Sequence, residues 1–258
     1  METNSIAVTI ITFNEEQNIR RCLESVRWAD EIIVVDSFSS DATVAICREY
    51  TDRIIQRQWP GFREQKQFAL EQAGCDWVLN LDADEQLSPN AIEQIQQEIL
   101  RGNPAADGFI FPRQSYYLGR WIRHGGWYPD LKLRLVRRGH GRWVGANLHE
   151  KLEADGATTQ LTGKILHYVY RDITHQLQTV ASFSQAAAEE WHRNGKKFNL
   201  LEMLLRPPLR FLAMYFWKGG MRDGLPGFII AVITSYYVFL KYARLWELQR
   251  DRAQDGSG

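Results

Sequence analysis

The chain has 258 residues, and its 31 basic and 31 acidic side chains give a formal net charge of zero. Hydrophobic residues make up 45% of the chain and aromatic residues 12%, which excludes an intrinsically disordered protein and provides enough apolar surface for a large core. The three cysteines are an odd number without metal-ligand spacing, which argues against a zinc site and against a disulfide scaffold.

The neutral total conceals an uneven distribution of charge along the chain. Residues 1–110 carry 9 basic and 19 acidic side chains, whereas residues 111–258 carry 22 basic and 12 acidic ones. An acidic segment can hold metal ions, and a basic segment can face phosphates, nucleic acid or an anionic bilayer. The alternative is that both are ordinary solvated surfaces.

The first hundred residues alternate between short apolar strands and amphipathic helices. The apolar runs predict four strands, at residues 6–13, 32–35, 53–56 and 77–81. The helical periodicity between and after them predicts four helices, near residues 19–26, 41–46, 63–73 and 88–99. Strands that alternate with helices of this size imply a mostly parallel sheet covered on both faces, with ligands bound beyond the carboxyl ends of the strands.

The remaining residues change in character twice. Residues 108–170 are rich in Gly, Arg, Trp and Tyr, and the alternating run 131–136 predicts an extension of the sheet. From about residue 174 the pattern is helical, and residues 225–240 form a run of 16 residues without a charge. That run is shorter than the roughly 20 residues of a spanning helix, and tryptophans, tyrosines and basic residues surround it. We expect a helix lying in the plane of a membrane; a soluble helical subdomain, a dimer interface and a true span are the alternatives.

An acidic motif follows the strand at residues 77–81. Asp82 and Asp84 are two positions apart, so that in an extended chain both carboxylates can converge on one hard cation. Such an ion neutralises the charge of a departing diphosphate. The alternative is an acidic turn that caps the following helix.

Four segments together resemble the inverting glycosyltransferases of family 2, which have the α/β fold called GT-A. The matching segments are residues 8–16, 33–43, 82–84 and 145–150. The last motif and the basic, aromatic C-terminal region are similar to bacterial enzymes that add a β-linked glucose to the lipopolysaccharide inner core. The resemblance implies a catalytic domain over residues 1–172, with a nucleotide half (1–110) and an acceptor half (111–172). A helical region over 173–258 follows it as a membrane-surface anchor.

The resemblance also implies roles for residues at the strand ends. Thr12, Phe13 and Glu15 would line the nucleotide pocket, and Asp36 would accept a hydrogen bond from the uracil or the ribose. Asp82 would contact the ribose or the metal, and Asp84 would ligate Mn²⁺ or Mg²⁺. Other readings stay open, because Phe13 could be a core residue, Glu15 could support a helix N-terminus, and Asp36 could cap a turn.

Three more residues complete the candidate site. Glu150 is the candidate general base, because an inverting transfer needs a carboxylate opposite the leaving group, and its alternative is a surface ion pair. Arg134, in the alternating strand, can hold a phosphate in bidentate fashion. His167 is a candidate third metal ligand, with a hydrogen-bonded core histidine as the alternative.

The sequence therefore predicts a metal-dependent, inverting transfer of a sugar, glucose by the resemblance, from a UDP-sugar to a lipid-linked saccharide of the lipopolysaccharide core. The expected location is the cytoplasmic face of the bacterial inner membrane, against its anionic surface. The alternatives are transfer to a polyprenyl phosphate and a non-catalytic membrane scaffold. Nucleic acid is not an expected partner, because long apolar runs separate the basic residues. The chain could also form a homo-oligomer.

Overall fold

The computed structural model describes residues 4–100, 104–145 and 150–255, and the chain divides into two compact units. The first unit comprises Met1–Ser115 and Pro129–Tyr168, and the second comprises Tyr116–Tyr128 and Val169–Gly258. The second unit begins its long segment close to the sequence-predicted boundary at residue 173. The grouping of the short segment 116–128 with it was not predicted from the sequence.

The first half of the first unit alternates strands and helices, as the sequence predicts. Its elements are β1 (Ile6–Thr12), α1 (Ile19–Ser25), β2 (Glu31–Asp36), α2 (Thr43–Cys47), β3 (Ile54–Gln56), α3 (Phe62–Glu71) and β4 (Trp77–Asp82). The four strands are parallel and lie in the order β3-β2-β1-β4. Because all four strands run in the same direction, their carboxyl ends meet at a single edge of the sheet.

The second half extends this sheet with strands of both directions. Its elements are β5 (Glu85–Leu87), α4 (Pro89–Leu100), β6 (Gly108–Tyr117), β8 (Asp130–Arg137), β9 (Gly141–Val144), β10 (Lys151–Ala154), β11 (Thr158–Gln160) and β12 (Ile165–His167). Strands β9 and β10 pair with each other in a separate two-stranded sheet. The short strand β7 (Arg120–Trp121) belongs to the second unit and pairs with Tyr116 and Tyr117. Strand β8 is antiparallel to both β4 and β6, and β12 is parallel to β6. The result is the predicted α/β sheet, parallel in β1 to β4 and mixed beyond them.

Alternate residues of the central strands pack on opposite faces of the sheet. Val8 and Ile10 of β1 belong to a core cluster with residues of α1 and α4, whereas Ala7 belongs to a cluster with Leu70 of α3. Strand β1 is buried along its whole length. Helices therefore cover both faces, which explains why its sequence is a continuous apolar run rather than an alternating one.

The second unit is mainly helical. Its elements are α5 (Ile173–Arg193), α6 (Leu200–Leu212), a π-helical turn (Ala213–Trp217), a 3-10 turn (Gly220–Asp223) and α7 (Gly224–Asp255). Within the described residues, one helical stretch, Gly220–Arg250, is long and apolar enough to cross a membrane by length and composition alone. This stretch extends beyond the 16-residue apolar run, and Lys241 and Arg244 directly follow that run.

A buried carboxylate fixes the segment 116–128 within the second unit. Asp223 is 1% exposed, and its Oδ2 accepts hydrogen bonds from the backbone amides of Arg123 at 3.1 Å and His124 at 2.8 Å. The guanidinium of Arg120 donates to the Asp223 carbonyl oxygen at 2.8 Å. Because a buried carboxylate needs such partners, Asp223 explains why this segment packs with residues a hundred positions later.

Candidate active site

Three strand ends lie side by side at the carboxyl edge of the sheet. In the parallel pairing Thr12 is the partner of Asp36, and Ile11 is the partner of Asp82. All of them belong to the first unit. The structure therefore brings together the residues predicted at the ends of β1, β2 and β4, at the edge where open α/β sheets bind ligands.

The loop after β2 holds the carboxylate of Asp36. Asp36 is buried, and its Oδ2 accepts hydrogen bonds from the Ser39 amide at 3.0 Å and from Gln56 Nε2 at 3.3 Å. This is a turn-capping arrangement, which fixes the carboxylate next to Thr12. Thr12 is also buried, and its hydroxyl has no hydrogen-bond partner within the described part of the chain.

The loop after β1 places its two predicted residues differently. The side chain of Phe13 is 55% exposed, so it is not a core residue and is free to stack on a planar ligand. Glu15 accepts a hydrogen bond from Asn18 Nδ2 at 2.7 Å, and its amide donates to Thr43 Oγ1 at 2.8 Å. Glu15 therefore supports the entry into α1, and its contact with a nucleotide stays a prediction.

A buried lysine joins two of the predicted site carboxylates. Lys66 of α3 is 8% exposed in its side chain, with Nζ 2.9 Å from Asp82 Oδ1 and 3.1 Å from Glu150 Oε1. The ammonium also lies 4.8 Å from the ring centre of Trp143. Lys66 thereby holds Glu150 beside the motif of Asp82 and Asp84, although the two lie far apart in sequence.

Further alternating charges lie behind Asp82. Arg134 Nη2 lies 2.9 Å from Asp82 Oδ2 and 2.7 Å from Glu85 Oε1, and Arg113 Nη1 lies 3.0 Å from the same Glu85 oxygen. Arg113 also pairs with Asp130 at 2.7 Å. Arg134 is buried between the carboxylates of Asp82 and Glu85 and holds Asp82 in position. The contact of Arg134 with a donor phosphate stays a prediction. We call this set the charge network: Asp130, Arg113, Glu85, Arg134, Asp82, Lys66 and Glu150.

The charge network keeps Asp82 ionised. Burial alone disfavours the charged carboxylate, but the adjacent Lys66 and Arg134 outweigh burial and hold the pKa of Asp82 well below its usual range. Burial likewise opposes the charge of Arg134, and Glu85 and Asp82 outweigh it, so that the pKa of Arg134 is raised. Asp82 is therefore a fixed anion that two side-chain cations already contact.

Asp84 contacts a different partner from Asp82. Its Oδ2 lies 3.2 Å from Nε2 of His167, whose Nδ1 lies 3.4 Å from Ser115 Oγ. The antiparallel pairing of β12 with β5 brings His167 to this position. The two aspartates of the motif thus have separate partners in this structure.

The Asp84–His167 pair fits a divalent cation. In the tautomer with the proton on Nδ1, His167 donates a hydrogen bond to Ser115, and the lone pair of Nε2 faces the Asp84 carboxylate. A cation between Nε2 and the carboxylate would then be attracted by both groups. Imidazole nitrogen and carboxylate oxygen both suit Mn²⁺. Among the described residues, no three or more His, Cys, Asp or Glu side chains lie close enough together to hold a metal ion. This pair would therefore supply two protein ligands.

The motif that ends in Glu150 is only partly described. Residues 146–149 of that motif, His149 among them, lie outside the described residues. Glu150 itself is 14% exposed in its side chain and begins the segment that enters β10. Its position is set by the pairing with Lys66, so Glu150 is not a simple surface ion pair.

Comparison with known proteins identifies the family. The model of glycosyl transferase family 2 matches residues 7–152. The chain belongs to this family. Among its curated relatives, the lipopolysaccharide core biosynthesis glycosyltransferase LpsC of Rhizobium meliloti is 33% identical over 249 residues, which cover 94% of this chain and 92% of LpsC. An uncharacterized glycosyltransferase of Rickettsia typhi is 30% identical over 260 residues, covering 94% of this chain and 87% of that protein.

A solved structure supports the fold of the family 2 chain. The mannosyltransferase PcManGT of Pyrobaculum calidifontis, in complex with GDP-Man and Mn²⁺, superposes with a TM-score of 0.54. The match covers 96% of this chain and 88% of PcManGT at 13% identity. At that identity the likeness shows the shared GT-A-like architecture.

Three charged residues of this family 2 site were missed by sequence reasoning: Lys66, Glu85 and Arg113. Lys66 lies four residues after Phe62 and four before Leu70, which places it on the apolar face of α3. A charged side chain on an apolar helical face requires a buried partner. The position of Lys66 between Phe62 and Leu70 could therefore have indicated a buried ion pair. Glu85 and Arg113 carry no comparable signal, because their partners depend on the order of the strands in the sheet.

We expect Glu85→Gln to destabilise the family 2 chain by about 3–5 kcal/mol, because it leaves Arg113 and Arg134 facing one another with a neutral group between them. Glu85 is fully buried, so water cannot reach this position to solvate the two guanidinium groups that lose their shared carboxylate. Urea denaturation followed by circular dichroism measures the change.

The matched control is Glu49→Gln, which removes an exposed carboxylate paired with Arg20 at 2.6 Å. We expect little measurable change there, because water screens exposed ion pairs. Equal effects of the two substitutions would show that the charge network contributes no more than a surface pair.

Proposed function

We propose that this family 2 protein transfers a sugar, with inversion, from a UDP-linked donor to a hydroxyl group of a lipid-linked saccharide. The observation that carries the proposal is the contact of Lys66 with both Asp82 and Glu150. It holds a carboxylate suited to proton transfer beside the sheet edge at which this fold class binds ligands.

The donor binds at the ends of β1, β2 and β4. Phe13, exposed beyond β1, stacks on the uracil ring, and Asp36 accepts a hydrogen bond from the base or the ribose. The unpaired hydroxyl of Thr12 is available to the same ligand. Asp82, already ionised, faces the ribose and orients it.

A bound Mn²⁺ or Mg²⁺ would neutralise negative charge on the diphosphate leaving group. Asp84 and His167 are the residues that would hold it, and diphosphate oxygens and water would supply the remaining ligands. Asp82 is the less suitable ligand, since Lys66 and Arg134 contact its oxygens.

Glu150 acts as the general base. It takes the proton from the acceptor hydroxyl as that oxygen forms a bond to C1 of the sugar, while the bond from C1 to the diphosphate breaks and UDP departs. Lys66 positions the Glu150 carboxylate through the 3.1 Å contact. Attack on the face opposite the leaving group gives the inverted configuration.

The sugar, the acceptor and the location are inferred from similarity. The similarity to LpsC, a lipopolysaccharide core biosynthesis glycosyltransferase, supports an inner-core saccharide as acceptor and the cytoplasmic face of the bacterial inner membrane as the place of reaction. The motif around Glu150 supports glucose as the transferred sugar. The apolar helices of the second unit support attachment to the membrane.

Calorimetric titration tests the donor site. UDP, with GDP and CMP as comparators, is titrated into the protein with Mn²⁺ and again with a chelator. We expect tight binding of UDP only when the metal is present. Absence of metal-linked binding for every nucleotide would contradict the transferase and favour the non-catalytic scaffold.

A further inference from the structure

Helix α6 leaves an apolar face uncovered in the second unit. It contains no buried residue, and its leucines recur at the spacing of one helical face, with Leu201 66% and Leu209 60% exposed. We call this set the leucine face: Leu201, Leu204, Leu205, Leu209 and Leu212. The π-helical turn that follows α6 continues the exposed apolar surface with Phe216 and with Trp217, which is 92% exposed.

A group of cations lies where α5, α6 and α7 meet. The ammonium groups of Lys196 and Lys241 lie 3.7 and 4.6 Å from the ring centre of the same tryptophan, Trp191. Arg206 of α6 lies 5.9 Å from the ring of Tyr242, which Lys196 also contacts at 4.9 Å. The aromatic rings thus gather cations from three separate segments.

Positive charge exceeds negative charge in this group. Glu202 pairs with Arg206 at 3.2 Å and with Lys196 at 3.6 Å. Within the described part of the chain, neither Arg210 nor Lys241 forms an ion pair. Burial, with Lys196, Arg210 and Arg206 nearby, lowers the pKa of Lys241, as expected for cations that lack enough counter-charge.

The apolar and basic surfaces share helix α6. Arg206 and Arg210 are four residues apart and both exposed, beside the leucine face of the same helix. An apolar stripe flanked by basic residues, with tryptophan at its end, is the pattern of a helix that lies in a membrane interface. At 13 residues, or about 20 Å, α6 is too short to cross a bilayer.

We propose that the second unit binds an anionic phospholipid bilayer, with the leucine face among the acyl chains and Lys196, Arg206, Arg210 and Lys241 on the headgroup phosphates. The inference rests on the membrane-linked acceptor of the proposed function. A second copy of the chain fits less well, because a symmetric contact on α6 would bring like charges together.

The polar contacts of α7 agree with this arrangement. Arg244 donates to Gln185 at 2.6 Å, Gln249 donates to the Lys196 carbonyl at 2.7 Å, and the Tyr242 hydroxyl donates to Glu202 at 2.6 Å. These bonds hold residues 242–249 of α7 against α5, α6 and the loop between them. The leucine face of α6 remains open to lipid, and α7 adds exposed apolar residues such as Leu225 and Phe228.

Vesicle flotation of the full chain tests the proposal. The vesicles contain phosphatidylcholine alone or phosphatidylcholine with phosphatidylglycerol, and a third arm adds inorganic phosphate to the anionic vesicles. We expect anionic vesicles to bind the chain and phosphate not to displace it. The double variant Arg206→Gln/Arg210→Gln should bind anionic vesicles about 30-fold more weakly, as expected for two interfacial basic residues.

Two matched variants separate this site from general effects of charge and apolarity. Arg27→Gln/Arg48→Gln removes two exposed cations from the first unit, and we expect unchanged binding. Leu205→Ser/Leu209→Ser should lose binding, whereas Ile173→Ser/Leu177→Ser, at two exposed apolar positions of α5, should retain it. Circular dichroism confirms that each variant is folded.

Three outcomes would overturn the proposal. Equal binding to neutral and anionic vesicles would show that the basic residues do not bind anionic headgroups. Displacement by inorganic phosphate would show that the basic residues bind a soluble anion rather than a bilayer. Self-association that Leu205→Ser/Leu209→Ser abolishes, without any vesicle binding, would make the leucine face a contact between copies. Flotation needs neither UDP nor metal, so its failure is distinguishable from failure of the proposed transferase activity.

Discussion

Replacing Glu150 by glutamine should lower kcat by about 10²–10⁴-fold and leave the Kd for UDP unchanged. Glutamine has nearly the same shape and still accepts a hydrogen bond from Lys66, but it cannot take a proton from the acceptor hydroxyl. Steady-state assays of UDP release measure kcat, and calorimetry with Mn²⁺ measures the binding of UDP. A loss of turnover with intact donor binding is the result expected for a general base.

The control is Glu153→Gln in β10, three residues further along the chain. Glu153 is a surface carboxylate paired with Lys151 at 2.7 Å, so we expect normal turnover. Wild-type turnover by the Glu150 variant would exclude Glu150 as the base. Transfer to a polyprenyl phosphate would then become the better hypothesis, because a phosphate oxygen attacks without a hydroxyl base.

The position of Glu150 illustrates what the sequence could predict and what it could not. Its distance in sequence from the motif of Asp82 and Asp84 suggested a carboxylate on the opposite side of the donor. The contact that brings Glu150 close to Asp82 depends on Lys66, which reaches Asp82 because α3 packs on the face of β1 and β4. Packing of a helix against a sheet is a long-range property, so no local pattern near Glu150 indicates it.

The nucleotide half was predictable because its strands are short, apolar and separated by helices with clear periodicity. The parallel order then places Asp36 and Asp82 at one edge without further information. The partners of Asp82 and Asp84 were not predictable in the same way. Extended geometry predicts that two carboxylates at i and i+2 converge, but Asp84 lies beyond the end of β4 and turns toward His167.

The second unit shows a similar limit. Sequence pattern identified the apolar run in α7 as the membrane-facing segment, since it is the longest stretch without a charge. In the structure α7 packs against α5 and α6. Exposed leucines occur on both helices, with Leu225 of α7 69% exposed and Leu201 of α6 66% exposed. Hydrophobicity along the chain predicts that a segment avoids water, but it does not distinguish contact with protein from contact with lipid.

Replacing Asp84 by asparagine should abolish metal-linked binding of UDP, and His167→Gln should weaken the binding of Mn²⁺ by at least about 10- to 100-fold. Asparagine lacks the negative charge that attracts the cation, and glutamine cannot reproduce the position of the imidazole Nε2. Electron paramagnetic resonance of Mn²⁺, titrated in the presence of UDP, measures the bound fraction without any need for turnover. Asp52→Asn, at an exposed carboxylate of the same unit, should leave the Mn²⁺ titration unchanged.

His167 is the variant that decides which residues hold the metal. Asp82→Asn would disturb Lys66 and Arg134 as well, so a loss of Mn²⁺ in that variant would have two explanations. His167 contacts Asp84 and Ser115 and is not part of the charge network, so its replacement leaves Asp82 and its partners in place. Unchanged Mn²⁺ affinity in His167→Gln would contradict the Asp84–His167 site. Asp82 would then be the better candidate for the second metal ligand. A loss of affinity would mean that the two aspartates of one short motif have separate tasks, Asp84 on the metal and Asp82 on the nucleoside.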